Sequence, residues 1–285
     1  MIIKKIEPQG FCGGVKRAIE ITNKLLEDKY IEKPIYMLGS LIHNAHIISS
    51  FTEKGIILLD DKLTKEEMIN MVDSGTIIIS AHGLSPKLKE KAFKKGLNIV
   101  DTTCPYVELI HTKIKDAIKK NTDVIYIGTK SHPEVCGVLG ISDNIHLVSN
   151  EDDINNLNIT NDKIYVTNQT TLSIYDIKSL YDKIKEKYPN VIIDNKICQA
   201  TTVRQEAVYN QEKVDLCIIV GDKLSSNTKK LYTVSSSRGI NTILIDSIED
   251  IKNYDFKNIN TVSISSGAST PSYLVDEIIE YIKNI

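Results

Sequence analysis

"LNIVDTTCPYVELIHTKIKDAIKKNTDVIYIG", residues 97–128, decides the fold. An apolar, strand-like run leads to Cys104, and "VELIHTKIKDAIKK" then carries a helical pattern. The β-branched run "VIYIG" follows and stops at Gly128. Strand, helix and strand at these lengths predict a parallel βαβ unit with a right-handed crossover.

The same succession occurs three times. Cys12, Cys104 and Cys198 lie 92 and 94 residues apart, and each precedes a helical pattern. Strands ending in Gly39, Gly128 and Gly221 follow their cysteines by 27, 24 and 23 residues. Polar loops beginning at Ser80, Thr167 and Ser265 follow them by 68, 63 and 67 residues. This periodicity predicts an α/β protein of three similar small units with parallel sheets, 1–98, 99–194 and 195–285, around a pseudo-threefold axis. Ligands of parallel sheets bind beyond the carboxyl ends of the strands. All three cysteines and the polar loops fall on that side, so the expected site is central.

Composition narrows the function. The 285 residues are 41% hydrophobic and 25% charged, with a net charge of −2 and both signs interspersed. That predicts no nucleic-acid surface. No apolar run approaches the ~20 residues of a membrane span. "MIIKKIEPQG" lacks the pattern of a signal peptide, so a cytoplasmic protein is expected, in which cysteines are reduced, catalytic or metal-binding.

Cys217, inside "DLCIIV", reads as a small buried hydrophobe, and Cys136 lies outside the repeat. Cys12, Cys104 and Cys198 read instead as metal ligands, because helix N-termini favour thiolates. In "GFCGGVKR", residues 10–17, the glycines then serve the turn around a metal rather than a phosphate cradle. Zinc usually shows closely spaced cysteine pairs, which are absent, and an iron–sulfur cluster usually takes four cysteines. Three would leave one iron open for chemistry.

The loops add His43, His46, His82, His132, Thr170, Ser225, Ser226, Asn227 and Ser269, a set of neutral donors suited to a phosphate group. "SSN" before a helix is also a good N-cap sequence. Glu134, in "SHPEV", is the one evident general acid. His111 and His146 lie on helix and strand patterns away from the loops.

Together "GFCGGVKRA", "SAHGLS", "DTTCP", "HPEV", "QTTLS", "ICQATTVRQEA" and "SGASTP", with "HN" at 43–44 and "SSN" at 225–227, span nearly the whole chain. They resemble the 4-hydroxy-3-methylbut-2-enyl diphosphate reductase family, the last enzymes of the methylerythritol phosphate route to isoprenoids. The resemblance implies that Cys12, Cys104 and Cys198 ligate a [4Fe–4S] cluster with one open iron. It implies that His43, His82, His132, Ser225, Ser226, Asn227 and Ser269 bind the diphosphate of the allylic substrate. Glu134 is then the proton donor and Thr170 its hydroxyl partner, and electrons come from ferredoxin or flavodoxin. The products are isopentenyl and dimethylallyl diphosphate. Asn168 stands where the family also uses threonine, and Cys136 follows the Glu134 motif. The chain ends soon after "DEIIEYIKN", so the RNA-binding-type repeats of some members are not expected.

Overall fold

Alternation of short β-branched runs with amphipathic helices produces twelve strands and eleven α-helices in a computed structural model, which describes residues 1–285 apart from Ile174. The first passage runs β1 (Ile2–Lys5), α1 (Gly13–Glu27), β2 (Ile35–Met37), α2 (Ala45–Glu53), β3 (Ile57–Leu58), α3 (Lys65–Met71), β4 (Thr76–Ile79), α4 (Pro86–Lys94) and β5 (Asn98–Asp101). Next come α5 (Pro105–Lys119), β6 (Asp123–Ile127), α6 (Pro133–Leu139), β7 (Ile145–Val148), α7 (Glu151–Asn156), β8 (Ile164–Asn168), α8 (Ile174–Lys187) and β9 (Ile192–Ile193). The last passage holds α9 (Gln199–Tyr209), β10 (Leu216–Val220), α10 (Ser226–Ser237), β11 (Thr242–Ile245), a 3-10 turn at Ile248–Asp250, β12 (Thr261–Ser266) and α11 (Ser272–Lys283).

The strands form three four-stranded sheets, ordered β3-β2-β4-β5, β7-β6-β8-β9 and β11-β10-β12-β1. Every pairing among them is parallel. The three orders are the same, as the repeat predicts. The fourth strand of each sheet is the one that leads into a cysteine: β5 to Cys104, β9 to Cys198 and β1 to Cys12.

This differs in detail from the consecutive stretches 1–98, 99–194 and 195–285. The chain changes sheet after the strand that precedes each cysteine, so β5 straddles the first boundary. The first strand, β1, completes the last sheet, with Ile2 to Lys5 in register with Thr261 to Ile264. Two compact units result. One comprises Met1–Val15, His43–Ala45 and Cys198–Ile285, and the other Lys16–Ile42 and His46–Ile197.

Central strands are covered on both faces, and their side chains alternate between two cores. Leu216, Ile218 and Val220 of β10 pack with Leu274, Val275 and Ile278 of α11. Cys217 and Ile219 face the other way, onto Val208, Leu231 and Val234. Cys217 is thus the buried hydrophobe that its sequence context implies. In β6, Ile125 and Ile127 meet Ile177 and Ile184 of α8, while Val124 and Tyr126 meet Ile110, Ile114, Val135 and Val138. Among the described residues, no helix is long and apolar enough to cross a membrane.

His111 is buried on α5 beside Gly83 and Gly137. Burial, with repulsion from Lys115 and Lys89, pulls its imidazole from 6.5 to about 4. It is therefore neutral in the folded protein while the unfolded chain protonates first. Unfolding free energy should fall as pH drops from about 6.5 to about 4, because the unfolded state binds more protons there. Denaturant titrations at pH 7 and 4.5 check this: His111→Gln should flatten that part of the slope, and an undiminished slope would contradict the assignment.

Candidate active site

The two units carry different parts of the predicted site. In the middle unit (residues 16–42 and 46–197), Glu134 lies in the first turn of α6. His132 is the N-cap and its Nδ1 accepts the Glu134 amide at 3.2 Å, with Pro133 as the first helical residue. Glu134 is 1% exposed. Its Oε1 accepts the Tyr126 hydroxyl at 2.9 Å and the Thr170 amide at 2.8 Å. Its Oε2 meets Thr170 Oγ1 at 2.8 Å. Burial pushes the carboxyl above its ordinary value, and these hydrogen bonds oppose the rise. A buried acid whose carboxyl is pushed upward and hydrogen-bonded to a loop hydroxyl is arranged to deliver a proton.

The loops around it are fixed to one another. Gln169 follows β8, and its Oε1 accepts the Thr129 amide at 2.9 Å. Gly128 leaves room for α6: a Cβ there would sit 2.6 Å from Val135 Cγ2. Asn168, at the position where the family also uses threonine, accepts the Tyr181 hydroxyl at 2.6 Å and the Lys196 amide at 2.9 Å through Oδ1. Its amide side chain thereby ties β8 to the segment leading into Cys198.

His82 and His132 come together with ring centroids 5.6 Å apart, edge to face. Cys104 begins α5 as its N-cap, and its amide donates to the Ala81 carbonyl at 3.0 Å, so the "SAHG" loop and the cysteine share one corner.

In the terminal unit (residues 1–15, 43–45 and 198–285) the corresponding bond recurs: the Cys12 amide donates to Ala268 in "SGAS" at 3.0 Å. Ser269 Oγ donates to the His43 carbonyl at 2.9 Å, and Asn44 Nδ2 donates to the Ser269 carbonyl at 2.9 Å. Ser225 caps α10 and accepts from the Thr228 amide, while Ser226 opens the helix half-buried. Asn227 is 4% exposed, and its Oδ1 and Nδ2 have no partner among the described residues. Unpartnered buried amides are costly, and a ligand with both donors and acceptors would satisfy them. A Cβ on Gly267 would stand 2.1 Å from Thr228 Oγ1, so the backbone beside this helix start has to be bare.

Cys198 is the N-cap of α9. One turn and a half along α9, buried Arg204 donates from Nη2 to the Gly10 carbonyl at 2.7 Å and from Nη1 to the Ala200 carbonyl at 3.0 Å. Burial pulls the guanidinium below its usual value, against attraction from Cys12, Cys198 and Glu7. One arginine thus fixes the backbone of the Cys12 turn and faces two of the three predicted ligands. None of the cysteines is in a disulfide.

Sequence reasoning missed Tyr126 and Arg204. Tyr126 carried a signal, a hydroxyl-bearing residue inside an otherwise aliphatic strand. Arg204 carried a weaker one, a fixed charge on a face of α9 that turns inward.

These features define an α/β protein with three repeated parallel sheets, bearing cysteines and histidines at its strand ends and, among the described residues, a single buried acid in the first turn of α6. The LytB protein family model matches residues 3–283, and the chain belongs to that family. It is 44% identical over 285 residues to the 4-hydroxy-3-methylbut-2-enyl diphosphate reductase of Lysinibacillus sphaericus, covering 99% of this chain and 88% of the relative. It is 42% identical to the enzyme of that name from Bacillus subtilis, covering 99% and 91%. The fold is similar to the E-1-hydroxy-2-methyl-but-2-enyl-4-diphosphate reductase of Plasmodium falciparum, with a TM-score of 0.90 at 35% identity over 99% of this chain and 88% of that one. A second solved structure, described as the terminal enzyme of the non-mevalonate pathway, has a TM-score of 0.70 at 32% identity over the full length of both chains.

Proposed function

We infer that this chain is a reductase that removes the hydroxyl of 4-hydroxy-3-methylbut-2-enyl diphosphate, giving isopentenyl and dimethylallyl diphosphate. The observation that carries the reading is Glu134, buried and bonded through Oε2 to Thr170 Oγ1, in a LytB chain matched from residue 3 to 283. The allylic C–O bond breaks with uptake of two electrons and two protons, and the oxygen leaves as water. Glu134 supplies a proton through Thr170, whose hydroxyl faces the leaving oxygen. His43, His82, His132, Ser225, Ser226, Asn227 and Ser269 hold the diphosphate with neutral or proton-bearing donors and the α10 N-terminus.

Cys12, Cys104 and Cys198 hold a [4Fe–4S] cluster in this reading. Soft thiolates suit iron–sulfur chemistry, each stands where a helix N-terminus favours the ionised thiol, and Arg204 adds positive charge beside two of them. When bound, the cluster supplies electrons and a Lewis-acidic iron. The electron donor is ferredoxin or flavodoxin, in the cytoplasm, where thiols stay reduced. Anaerobically purified protein should be brown, contain about four irons per chain, and convert the diphosphate with a strong chemical reductant. Iron-free protein with full turnover would refute the assignment.

A further inference from the structure

We propose that Tyr126 is a positioning residue for the acid: with the Thr170 amide it saturates Glu134 Oε1, so that the transferable proton resides on Oε2, against Thr170 Oγ1. The inference deepens the functional reading above and rests on it.

The argument is one of hydrogen-bond valence. A carboxyl oxygen offers two lone-pair directions. Both directions on Oε1 are used, by the Tyr126 hydroxyl at 2.9 Å and the Thr170 N–H at 2.8 Å. The amide can only donate. Tyr126 is fully buried on β6, and its hydroxyl has no other acceptor among the described residues, so it too donates to Oε1. A proton placed on Oε1 would strand one of these donors in an apolar core, at substantial cost. Among the described residues Oε2 has a single partner, Thr170 Oγ1 at 2.8 Å, and a hydroxyl either donates or accepts. With Glu134 ionised, Thr170 donates; with Glu134 protonated, Oε2–H donates along the same line. As the proton leaves Oε2 for Oγ1, the Thr170 hydroxyl proton passes to the leaving oxygen, and Glu134 ends as the carboxylate. Its two Oε1 donors stabilise that charge.

Tyr181, on α8, lies near Tyr126 but spends its hydroxyl on Asn168. His132 caps the same helix, and His111 of α5 lies against Gly137 of α6, neutral above about pH 4. None bonds a Glu134 oxygen in the manner of Tyr126.

Infrared difference spectra of the purified protein, with Glu134→Gln identifying the band, test this without turnover. In the parent the protonated carbonyl band should sit at the low frequency of a C=O that accepts two hydrogen bonds. In Tyr126→Phe, which keeps the ring and its packing, the band should move up. The pH at which it disappears should rise by about one unit, because a donor to the carboxylate has been lost. Turnover should fall about tenfold at unchanged KM, less than the ~10² or more expected for loss of the acid itself. Tyr181→Phe removes a phenol from the same core and should leave the band where the parent has it. A parent band at the frequency of an unbonded carbonyl would overturn the proposal, whether or not the variant folds. So would equal shifts in the two phenylalanine variants. Absence of reductase activity in the parent would refute the functional reading while leaving the infrared result interpretable.

Discussion

Glu134→Gln should fold, retain iron and bind the diphosphate, yet lose turnover by ~10²–10⁴, the range for removing a positioned general acid. The expectation follows from the buried triad. Glutamine has the same shape, and its carbonyl oxygen can accept from the Tyr126 hydroxyl and the Thr170 amide as Oε1 does. Its amide nitrogen can donate to Thr170 Oγ1 but cannot release a proton. Removing the charge also removes the desolvation cost that pushes the acid up, so stability should stay level or rise. Steady-state kinetics beside a thermal melt and an iron determination separate the effects. Turnover within a few-fold of the parent would remove Glu134 from the reaction.

Cys104→Ser should abolish turnover and drop the iron content well below that of the parent. Serine preserves the N-cap geometry of α5, and the Cys104 amide keeps its bond to Ala81, so the polypeptide should fold. The hydroxyl is a hard, weakly acidic ligand where soft thiolate is required. Cys12→Ser and Cys198→Ser should do the same, whereas Cys217→Ser should cost stability by placing a hydroxyl in an apolar core without costing iron. Iron analysis and the visible spectrum of the four variants decide it. A Cys104→Ser protein with a full complement of iron would end the assignment of that residue as a ligand.

Much of this was legible in the chain because chemistry and periodicity coincide. Each cysteine recurs at the same strand-to-helix junction, and each β-branched strand stops at a glycine, so three parallel sheets could be laid out from spacing alone. Glu134 stood out as the one evident general acid in the polar loops, in "SHPEV". Two things were hidden. The pairing of β1 with β12 is carried by backbone hydrogen bonds between residues some 260 positions apart, which leave no local trace. The partners of Glu134 and of the Cys12 turn, Tyr126 and Arg204, depend on which face of a strand or helix meets another element. After Asp123 every position of β6 is apolar enough to pass as core, so although the Tyr126 hydroxyl stands out, the alternation that aims it at α6 shows only in three dimensions.

The borrowed strand also sets an order of assembly. Residues 35–193 can complete both of their sheets as soon as they leave the ribosome, since every strand there pairs within that stretch. Strand β1, although it precedes all of these, has to wait for β12 before it gains a neighbour. Long-range pairing of this kind is slow. The turn bearing Cys12 is thus fixed only after β12 has been made, later than the sheets built from residues 35–193.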